Sequence, residues 1–328
     1  MPRPSPPSDT RKPGAASPHP RNRHQGQYDF ARLIAQAPEL AKYMRTGVHG
    51  QPTLDFANPA AVRALNRALL QAHYGINDWD IPDGYLCPPV PGRADYLHAL
   101  ADLLASSHDG QRPEGPGLLG LDVGTGANLI YPLIGQAEYG WRFIGSDIDP
   151  VALDNARQLI QANPRLASEI SLRLQPDPRA IFDGLIQPGE RIDFTLCNPP
   201  FHASAEEARD ASRRKWRNLR GSAAEILNFG GRHNELYCAD GEAGFLARMA
   251  EQSVACREQV FWFSSLVSKA ANLPSLTTQL THLGACDVRT IAMAQGNKRS
   301  RFVAWTFLDK RQRRAWRKAR WPAPEAPA

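Results

Sequence analysis

The segment with the clearest chemical meaning is Asn198-Pro199-Pro200-Phe201, which follows an apolar stretch that ends at Cys197. Two consecutive prolines fix φ and lack N–H donors, so they stiffen a turn at the end of a strand. Such a turn presents the Asn198 side-chain oxygen and the Pro199 carbonyl as two acceptors, while the Phe201 ring offers a flat surface for stacking. We therefore predict these four residues as the catalytic residues for a planar substrate that carries an NH₂ group.

An exocyclic amine is a poor nucleophile because its lone pair is delocalised into the ring. Two acceptors on one NH₂ group draw the nitrogen toward a tetrahedral geometry and aim it at an electrophilic methyl group. Such a transfer depends on positioning and electrostatics and needs neither a metal nor a covalent intermediate. A target base in folded nucleic acid must be unpaired or flipped out to reach the turn. The alternative is a structural Pro-Pro loop with an Asn cap and a buried Phe.

A glycine-rich turn upstream, within Leu118–Asn128, is the predicted cofactor loop. Glycines let backbone amides approach a ligand, and the following helix N-terminus favours polar or anionic groups. A dinucleotide loop of the GxGxxG type would have its third glycine at Leu129. An acidic residue before the glycines suits S-adenosylmethionine, which carries an amino group and a sulfonium. We predict this cofactor, with site residues Asp122, Gly124, Gly126 and Asn128.

The next predicted strand ends at Asp147, where a carboxylate can bind ribose hydroxyls. The following Asp149-Pro150 pair is typical of a helix start, with Asp149 as the N-cap and the proline at the first helical position. A second turn-forming or capping carboxylate is the alternative role for Asp147. We expect Asp147 to bind the cofactor and Asp149 to cap the helix.

The elements that position these residues alternate between short apolar runs and helical periodicity. The runs are Leu118–Val123, Phe143–Ser146, Ile170–Leu174, Ile192–Cys197, Val260–Leu266, Val288–Ala294 and Arg301–Leu308. Their alternation with helices predicts βαβ units in a parallel sheet, and the short connection Gln295–Ser300 predicts a terminal hairpin. The expected fold is α/β: a Rossmann-like class I methyltransferase with a seven-stranded, mostly parallel sheet and an antiparallel C-terminal hairpin.

The chain before this sheet reads as helical, with predicted helices in Tyr28–Gly47, broken at Pro38, in Pro59–Tyr74, and through Tyr96–Leu103. Residues 1–24 contain seven prolines and almost no apolar side chains, so we expect disorder there. We predict four parts: a basic tail 1–24, a helical RNA-binding extension 25–109, a methyltransferase domain 110–309 and a basic C-terminal tail 310–328.

The formal net charge of +6 is concentrated at the ends, since residues 1–24 carry +4 and residues 309–328 carry +5. A mildly acidic body with two basic ends suits a polyanionic partner, although basic tails can also simply aid solubility. The basic hairpin turn with Lys298, Arg299 and Arg301 could guide a substrate strand. Arg213–Arg220 could contact RNA backbone or form a solvated helix face, and Trp316 and Trp321 could stack on bases or pack on the body.

The five cysteines are scattered and form no CxxC or Cys/His cluster, so neither a disulfide framework nor a metal site is indicated. The sequence contains no apolar run long enough to span a bilayer, and its basic N-terminus lacks the apolar segment of a secretory signal. We expect a cytoplasmic protein, a monomer, with no membrane partner.

The chain resembles the bacterial 23S rRNA adenine-N6 methyltransferases of the F type, which are related to a eukaryotic RNA adenine-N6 methyltransferase. The resemblance is carried by His19–His24, Val90–Leu97, Leu121–Pro132, Asn198–Phe201, Asn228–Gly231 and Ala294–Phe302. It implies methylation of a specific adenine in 23S rRNA or in a large-subunit assembly intermediate. It also implies that Arg93 contacts the cofactor's carboxylate and that Arg21, Arg23 and His24 help to grip RNA.

Other functions remain compatible with the same residues. Asn-Pro-Pro-aromatic turns also serve guanine-N2 methylation, DNA adenine methylation and protein glutamine methylation, because each target is a planar NH₂ group. A non-catalytic RNA-binding assembly factor would keep the fold without the reaction.

Overall fold

The computed structural model describes residues 17–47, 50–200, 240–295 and 298–321. The N-terminal part contains α1 (Phe30–Gln36), a 3₁₀ helix (Pro38–Tyr43), α2 (Pro59–Tyr74) and α3 (Val90–Ser106). A small antiparallel sheet of β1 (Met44–Thr46) and β2 (Pro52–Leu54) lies between the 3₁₀ helix and α2. No helix in these ranges is long and apolar enough to cross a membrane.

The main sheet is built from β3 (Leu119–Val123), β4 (Arg142–Asp147), β5 (Ile170–Leu174), β6 (Ile192–Cys197), β7 (Val260–Leu266), β8 (Asp287–Gln295) and β9 (Lys298–Thr306). Its helices are α4 (Ile130–Tyr139), α5 (Pro150–Ala162), α6 (Gly241–Ser253), α7 (Leu273–His282) and α8 (Lys310–Arg320). The strand order is β5-β4-β3-β6-β7-β9-β8. Strands β3 to β7 pair in parallel, and β9 is antiparallel to both of its neighbours. The predicted fold class is confirmed.

Local sequence signals explain where the helices begin and end. Helix α2 has the predicted bounds. The Asn58 side chain caps its start by accepting from Ala60 N, and Pro59 occupies the first turn. Gly75 ends the helix because it adopts φ +63°. The predicted helix Tyr28–Gly47 ends earlier, at Gln36, because the residue before Pro38 is pushed out of the helical region. Beyond the proline the chain forms the 3₁₀ helix and β1, so the prediction of helix there was wrong.

The helical extension and the sheet share one hydrophobic core. That core contains buried side chains from both parts, among them Leu69, Leu100, Leu133, Phe143 and Phe194. The connection between them, residues 110–117, is tied to the body as well, since Trp141 Nε1 donates to Pro113 O at 2.9 Å. The extension is therefore packed against the sheet as part of the same folded unit.

The segment from residue 17 to residue 24, which we expected to be disordered, is bound to the body. Asn22 is 3% exposed and donates to Asp95 Oδ1 at 2.6 Å and to Pro91 O at 2.9 Å. The buried His24 shares a hydrogen bond of 2.8 Å between its Nε2 and Tyr74 Oη. Specific polar partners order this segment despite its composition, and this part of the disorder prediction was wrong. Residues 1–16 lie outside the described residues.

The C-terminal helix is held by a buried carboxylate at the start of β6. Asp193 is fully buried and accepts from Leu119 N at 2.8 Å, Trp316 Nε1 at 2.7 Å and Trp321 Nε1 at 2.8 Å. Arg320 adds two bonds of 2.9 and 2.6 Å, and these bonds raise the pKa of its guanidinium. Such pairing offsets the desolvation of a buried charge. Both tryptophans thus pack on the body, which is the second of the two roles considered for them.

Replacing Asp193 tests how much its carboxylate contributes to the stability of the fold. We expect Asp193→Ala to lower the free energy of unfolding by about 3–5 kcal/mol, because a partly buried cation and several buried donors lose their acceptor. Urea denaturation followed by circular dichroism measures the change. The matched control is Asp154→Ala, whose ion pair with Arg157 is exposed and should change stability by less than about 0.5 kcal/mol. Equal effects of the two substitutions would contradict the assignment.

Candidate active site

The carboxyl ends of β3, β4 and β6 open into one cavity of about 720 Å³. Its wall includes the predicted site residues Arg93, Gly124, Gly126, Asn128, Asp147, Asn198 and Pro200. Strand β3 has β4 as its neighbour on one side and β6 on the other, so the order of the strands reverses at β3. Ligands of open α/β sheets bind at such a switch point, beyond the carboxyl ends of the strands. The fold therefore brings residues from widely separated segments into one site.

The glycine turn is anchored to the end of β4 by its backbone amides. Gly124 N and Thr125 N both donate to Ser146 O, at 2.9 and 2.8 Å. Gly124 and Gly126 have φ values of +72° and +65°, in the left-handed region that favours glycine. A Cβ on Gly124 would meet nothing within 4 Å, so the glycine is required there by conformation rather than by space.

Asp122 lies behind the turn and is fully buried. Its Oδ2 accepts from Thr125 Oγ1 at 2.7 Å, whereas Oδ1 has no hydrogen-bond partner among the described residues. Burial raises the pKa of Asp122 to about 7, and the nearby Asp147 adds to the effect. Asp122 is not among the residues that line the cavity, so the structure places it as a support of the turn and not at the predicted position for cofactor contact.

Asp147 has the turn-forming role, which is one of the two roles considered for it. Its Oδ2 accepts from Gly126 N at 2.8 Å and its Oδ1 accepts from Asp149 N at 2.9 Å, while the residue also lines the cavity. Burial raises its pKa, and the two backbone bonds oppose that rise. Asp149 caps α5 through a 2.9 Å bond from Val151 N, which confirms the predicted helix start.

Arg93 reaches the cavity from the first turn of α3. Its Nη1 donates to Tyr131 Oη at 2.8 Å, and the guanidinium lies 5.4 Å from the centre of that ring. Its Nε is buried and has no partner within the ranges that the structure describes. Asn128 also lines the cavity, and its Oδ1 accepts from Ile130 N, the first residue of α4, at 3.1 Å. Arg93 therefore brings a cation to the cavity wall, and Asn128 connects the glycine turn to α4.

Asn198 follows β6 directly and lines the cavity together with Pro200. Its Oδ1 is buried and has no hydrogen-bond partner in the described part of the chain. An unpaired buried acceptor costs free energy and is rare, so it indicates a place where a ligand donates. Pro199 is buried beside it, and Phe201 lies outside the described residues.

Several residues of the cavity wall were missed by sequence reasoning. They are Tyr85 and Leu86 before α3, Gln175 and Ile181 after β5, and Asp240 and Arg248 at α6. Gln175 follows a parallel strand directly, so the rule on carboxyl ends could have identified it. The other segments show no comparable signal, because only the tertiary fold brings them to the cavity.

Four of the residues predicted to bind RNA are not part of the cavity wall: Arg21, Arg23, His24 and Arg301. Arg21 pairs with Asp102 at 2.8 Å and Arg23 pairs with Glu138 at 2.7 Å. Burial lowers the pKa of His24 to about 3, so this side chain is neutral and enclosed, and the predicted role in gripping RNA does not fit its position. Arg301 donates to Ser268 O at 3.2 Å. Lys298 and Arg299 belong to β9, and their side chains, like the basic run 213–220, lie outside what the structure describes.

Comparison with known proteins shows the family of the chain. A family model described as RNA methyltransferase matches residues 13–309. The chain is 62% identical over 328 residues to the ribosomal RNA large subunit methyltransferase F of Pseudomonas aeruginosa PAO1, covering 98% of both proteins. It is 57% identical to that of Stutzerimonas stutzeri A1501, covering 93% of this chain and 94% of the relative. The chain belongs to this family of RNA methyltransferases.

Solved structures of human METTL16 share the fold. The catalytic domain in complex with MAT2A 3'UTR hairpin 1 has a TM-score of 0.77 and 31% identity, covering 89% of this chain and 96% of that one. The N-terminal domain in complex with SAH has a TM-score of 0.71 and 28% identity, covering 89% and 100%. The predicted family and cofactor are confirmed: this is an S-adenosylmethionine-dependent RNA methyltransferase.

The buried Asp122 predicts a pH dependence of stability. An aspartate in the unfolded chain loses its proton near pH ~4, whereas the folded protein holds this proton up to about pH 7. The folded state therefore binds one more proton between these values, and its stability falls as the pH rises through them. Relative to Asp122→Asn, the parent should lose up to about 1.4 kcal/mol per pH unit in this window and nothing further above it. Urea denaturation from pH 5 to 8 at constant ionic strength measures this; a difference that does not vary with pH would refute it.

Proposed function

We propose that this enzyme transfers the methyl group of S-adenosylmethionine to N6 of a specific adenine in 23S ribosomal RNA. The observation that carries the proposal is the buried Oδ1 of Asn198 at the cavity wall, which has no hydrogen-bond partner among the residues that the structure describes. The Asn-Pro-Pro-Phe sequence favours a planar amine, and the name of the F-type relatives, ribosomal RNA large subunit methyltransferase, favours the large ribosomal RNA.

The residues of the cavity fit the cofactor. The volume of the cavity lies within the roughly 300–1,000 Å³ range of small-molecule sites. We assign the turn at Gly124 and Gly126 to the backbone contacts, Asp147 to the ribose hydroxyls and Arg93 to the carboxylate. The unpartnered Nε of Arg93 is a donor suited to that anion. When bound, S-adenosylmethionine supplies a methyl group on a positively charged sulfur.

The chain's own residues orient the amine. Asn198 Oδ1 accepts from one N–H of the target, and the Pro199 carbonyl accepts from the other. Both are neutral oxygens, so they polarise and aim the nitrogen without acting as strong bases. Phe201 stacks on the adenine ring in this proposal.

Guanine N2, adenine in DNA and a glutamine amide are the other acceptors that this turn suits, and an assembly factor without catalysis is the alternative of another class. Membership of an RNA methyltransferase family supports RNA over DNA and protein. The unpartnered acceptor supports catalysis over scaffolding. We propose a cytoplasmic monomer that acts on 23S rRNA or on a large-subunit assembly intermediate.

Removing the acceptor should abolish most of the reaction. We expect Asn198→Ala to lower the single-turnover rate by roughly 10²- to 10³-fold, the usual loss for one preorganised electrostatic contact. The assay uses labelled S-adenosylmethionine and deproteinised 23S rRNA, and nucleoside digestion should yield N6-methyladenosine. Affinity for S-adenosylhomocysteine should remain within about twofold, since Asn198 acts on the acceptor.

The matched control is Asn77→Ala, which removes an exposed asparagine side chain outside the cavity wall. It should leave the rate unchanged. Label in N2-methylguanosine, DNA or protein alone would overturn the proposed acceptor. Full methyl transfer by Asn198→Ala would overturn the catalytic assignment.

Arg93 is tested through cofactor affinity. We expect Arg93→Gln to weaken binding of S-adenosylhomocysteine by roughly 10- to 100-fold, because a charge-assisted bond contributes about 1.5–3 kcal/mol. Isothermal titration calorimetry measures the affinity. Tyr131→Phe keeps the guanidinium and removes only its 2.8 Å acceptor, so it should weaken binding much less. Unchanged affinity of Arg93→Gln would refute the carboxylate contact.

A further inference from the structure

Helix α8 has two basic faces with different surroundings. On the inner face, Arg313 pairs with Asp287 at 3.1 Å, Arg317 with Asp109 at 3.3 Å and Arg320 with Asp193 at 2.6 Å. The outer face carries four exposed cations, none of which has an ion-pair partner among the described residues: Lys310, Arg311, Arg314 and Lys318. At 3.6 residues per turn these four lie within an arc of about 100°. We call them the outer stripe.

The outer stripe lies at the end of the sheet opposite to the cavity. Asp193 and Asp287, which anchor the helix, stand at the starts of β6 and β8. Asn198 follows the other end of β6. At about 3.3 Å per residue, a six-residue strand separates the two ends by roughly 17–20 Å. A nucleotide bound in the cavity therefore cannot itself contact the outer stripe.

The helix is a fixed element rather than a loose tail. Asp309 and Gln312 form a capping box, with bonds of 2.7 and 2.8 Å, and Trp316 is buried beneath the helix. The family match ends at Asp309, directly before α8. The outer stripe is thus presented on a rigid support that lies beyond the matched family region.

We propose that the outer stripe is a second docking surface, for the phosphodiester backbone of the RNA substrate at a distance from the target base. Like charges at neighbouring helix positions repel each other, and a polyanion relieves this repulsion. Contact with phosphate carries no sequence information, so the stripe adds affinity for a large RNA and leaves the choice of base to the cavity.

A membrane surface fits the same stripe poorly. A helix that lies on lipid needs large apolar residues beside its cations. The exposed residues of α8 other than its cations are Gln312, Ala315 and Ala319, and none is a large apolar residue. RNA is therefore the occupant that the charges and the proposed function favour, and the inference depends on that function.

The test removes two cations from the middle of the outer stripe. In the full-length chain, Arg314→Gln with Lys318→Gln should weaken binding to a full-length 23S rRNA transcript several-fold. The slope of log affinity against log salt should become shallower by about 1 to 2, as expected for two lost phosphate contacts. Methylation of a short fragment around the target adenine should stay at the parental rate. The matched control, Arg157→Gln with Arg257→Gln, removes two exposed cations elsewhere and should bind as the parent does.

Equal affinity and equal salt slope for the two double variants would overturn the inference. Weaker methylation of an assembly intermediate with unchanged affinity for the naked transcript would also overturn it, in favour of an acidic protein partner. Failure of the parent to methylate either RNA would instead overturn the proposed function, whatever the salt slope.

Discussion

The buried carboxylate of Asp193 is the interaction that ties the C-terminal helix to the central strands of the sheet. A buried charge is tolerated only when its oxygens are fully bonded, and this one receives five hydrogen bonds from β3 and from the C-terminal helix segment. One of these bonds, from Leu119 N, joins the start of β3 to β6, and the two strands pair from Gly120 opposite Phe194 to Val123 opposite Cys197. The glycine turn and Asn198 follow these two strands, so the pairing of β3 with β6 places the proposed cofactor loop beside the proposed acceptor turn.

The two ends of β6 differ in how their polar groups are satisfied. Asp193 is saturated, whereas Asn198 Oδ1, Asp122 Oδ1 and Arg93 Nε are buried without partners among the described residues. Buried polar atoms of this kind are few in folded proteins because each one costs free energy. Asn198 and Arg93 line the cavity, so these two atoms lie where a ligand can complete the hydrogen bonding, whereas Asp122 supports the glycine turn through Thr125. The rigid end of the sheet thus supports a site whose polar groups are held ready for cofactor and substrate.

Sequence reasoning succeeded where a signal is local. Strand β6 and helix α2 were predicted at their observed bounds, because an apolar run and a cap-proline-glycine pattern are complete within each segment. It failed where the partner is distant along the chain. Nothing near Asn22 shows that Asp95 will bind it, and nothing near Asp193 announces an arginine 127 positions later. The order of the N-terminal segment and the buried position of Asp122 required the tertiary fold.

The same distinction separates the chemistry of this enzyme from its grip on RNA. Four adjacent residues are enough to indicate methylation of an amine, since the acceptors act through their own geometry. A basic residue, by contrast, binds phosphate only if the fold leaves its charge unpaired. Arg313 and Arg314 are neighbours of one type, yet the first is paired with Asp287 and the second is exposed. The net charge of a tail therefore overstates how many of its residues can bind RNA phosphates. Only cations without an ion-pair partner in the folded protein are available for that contact.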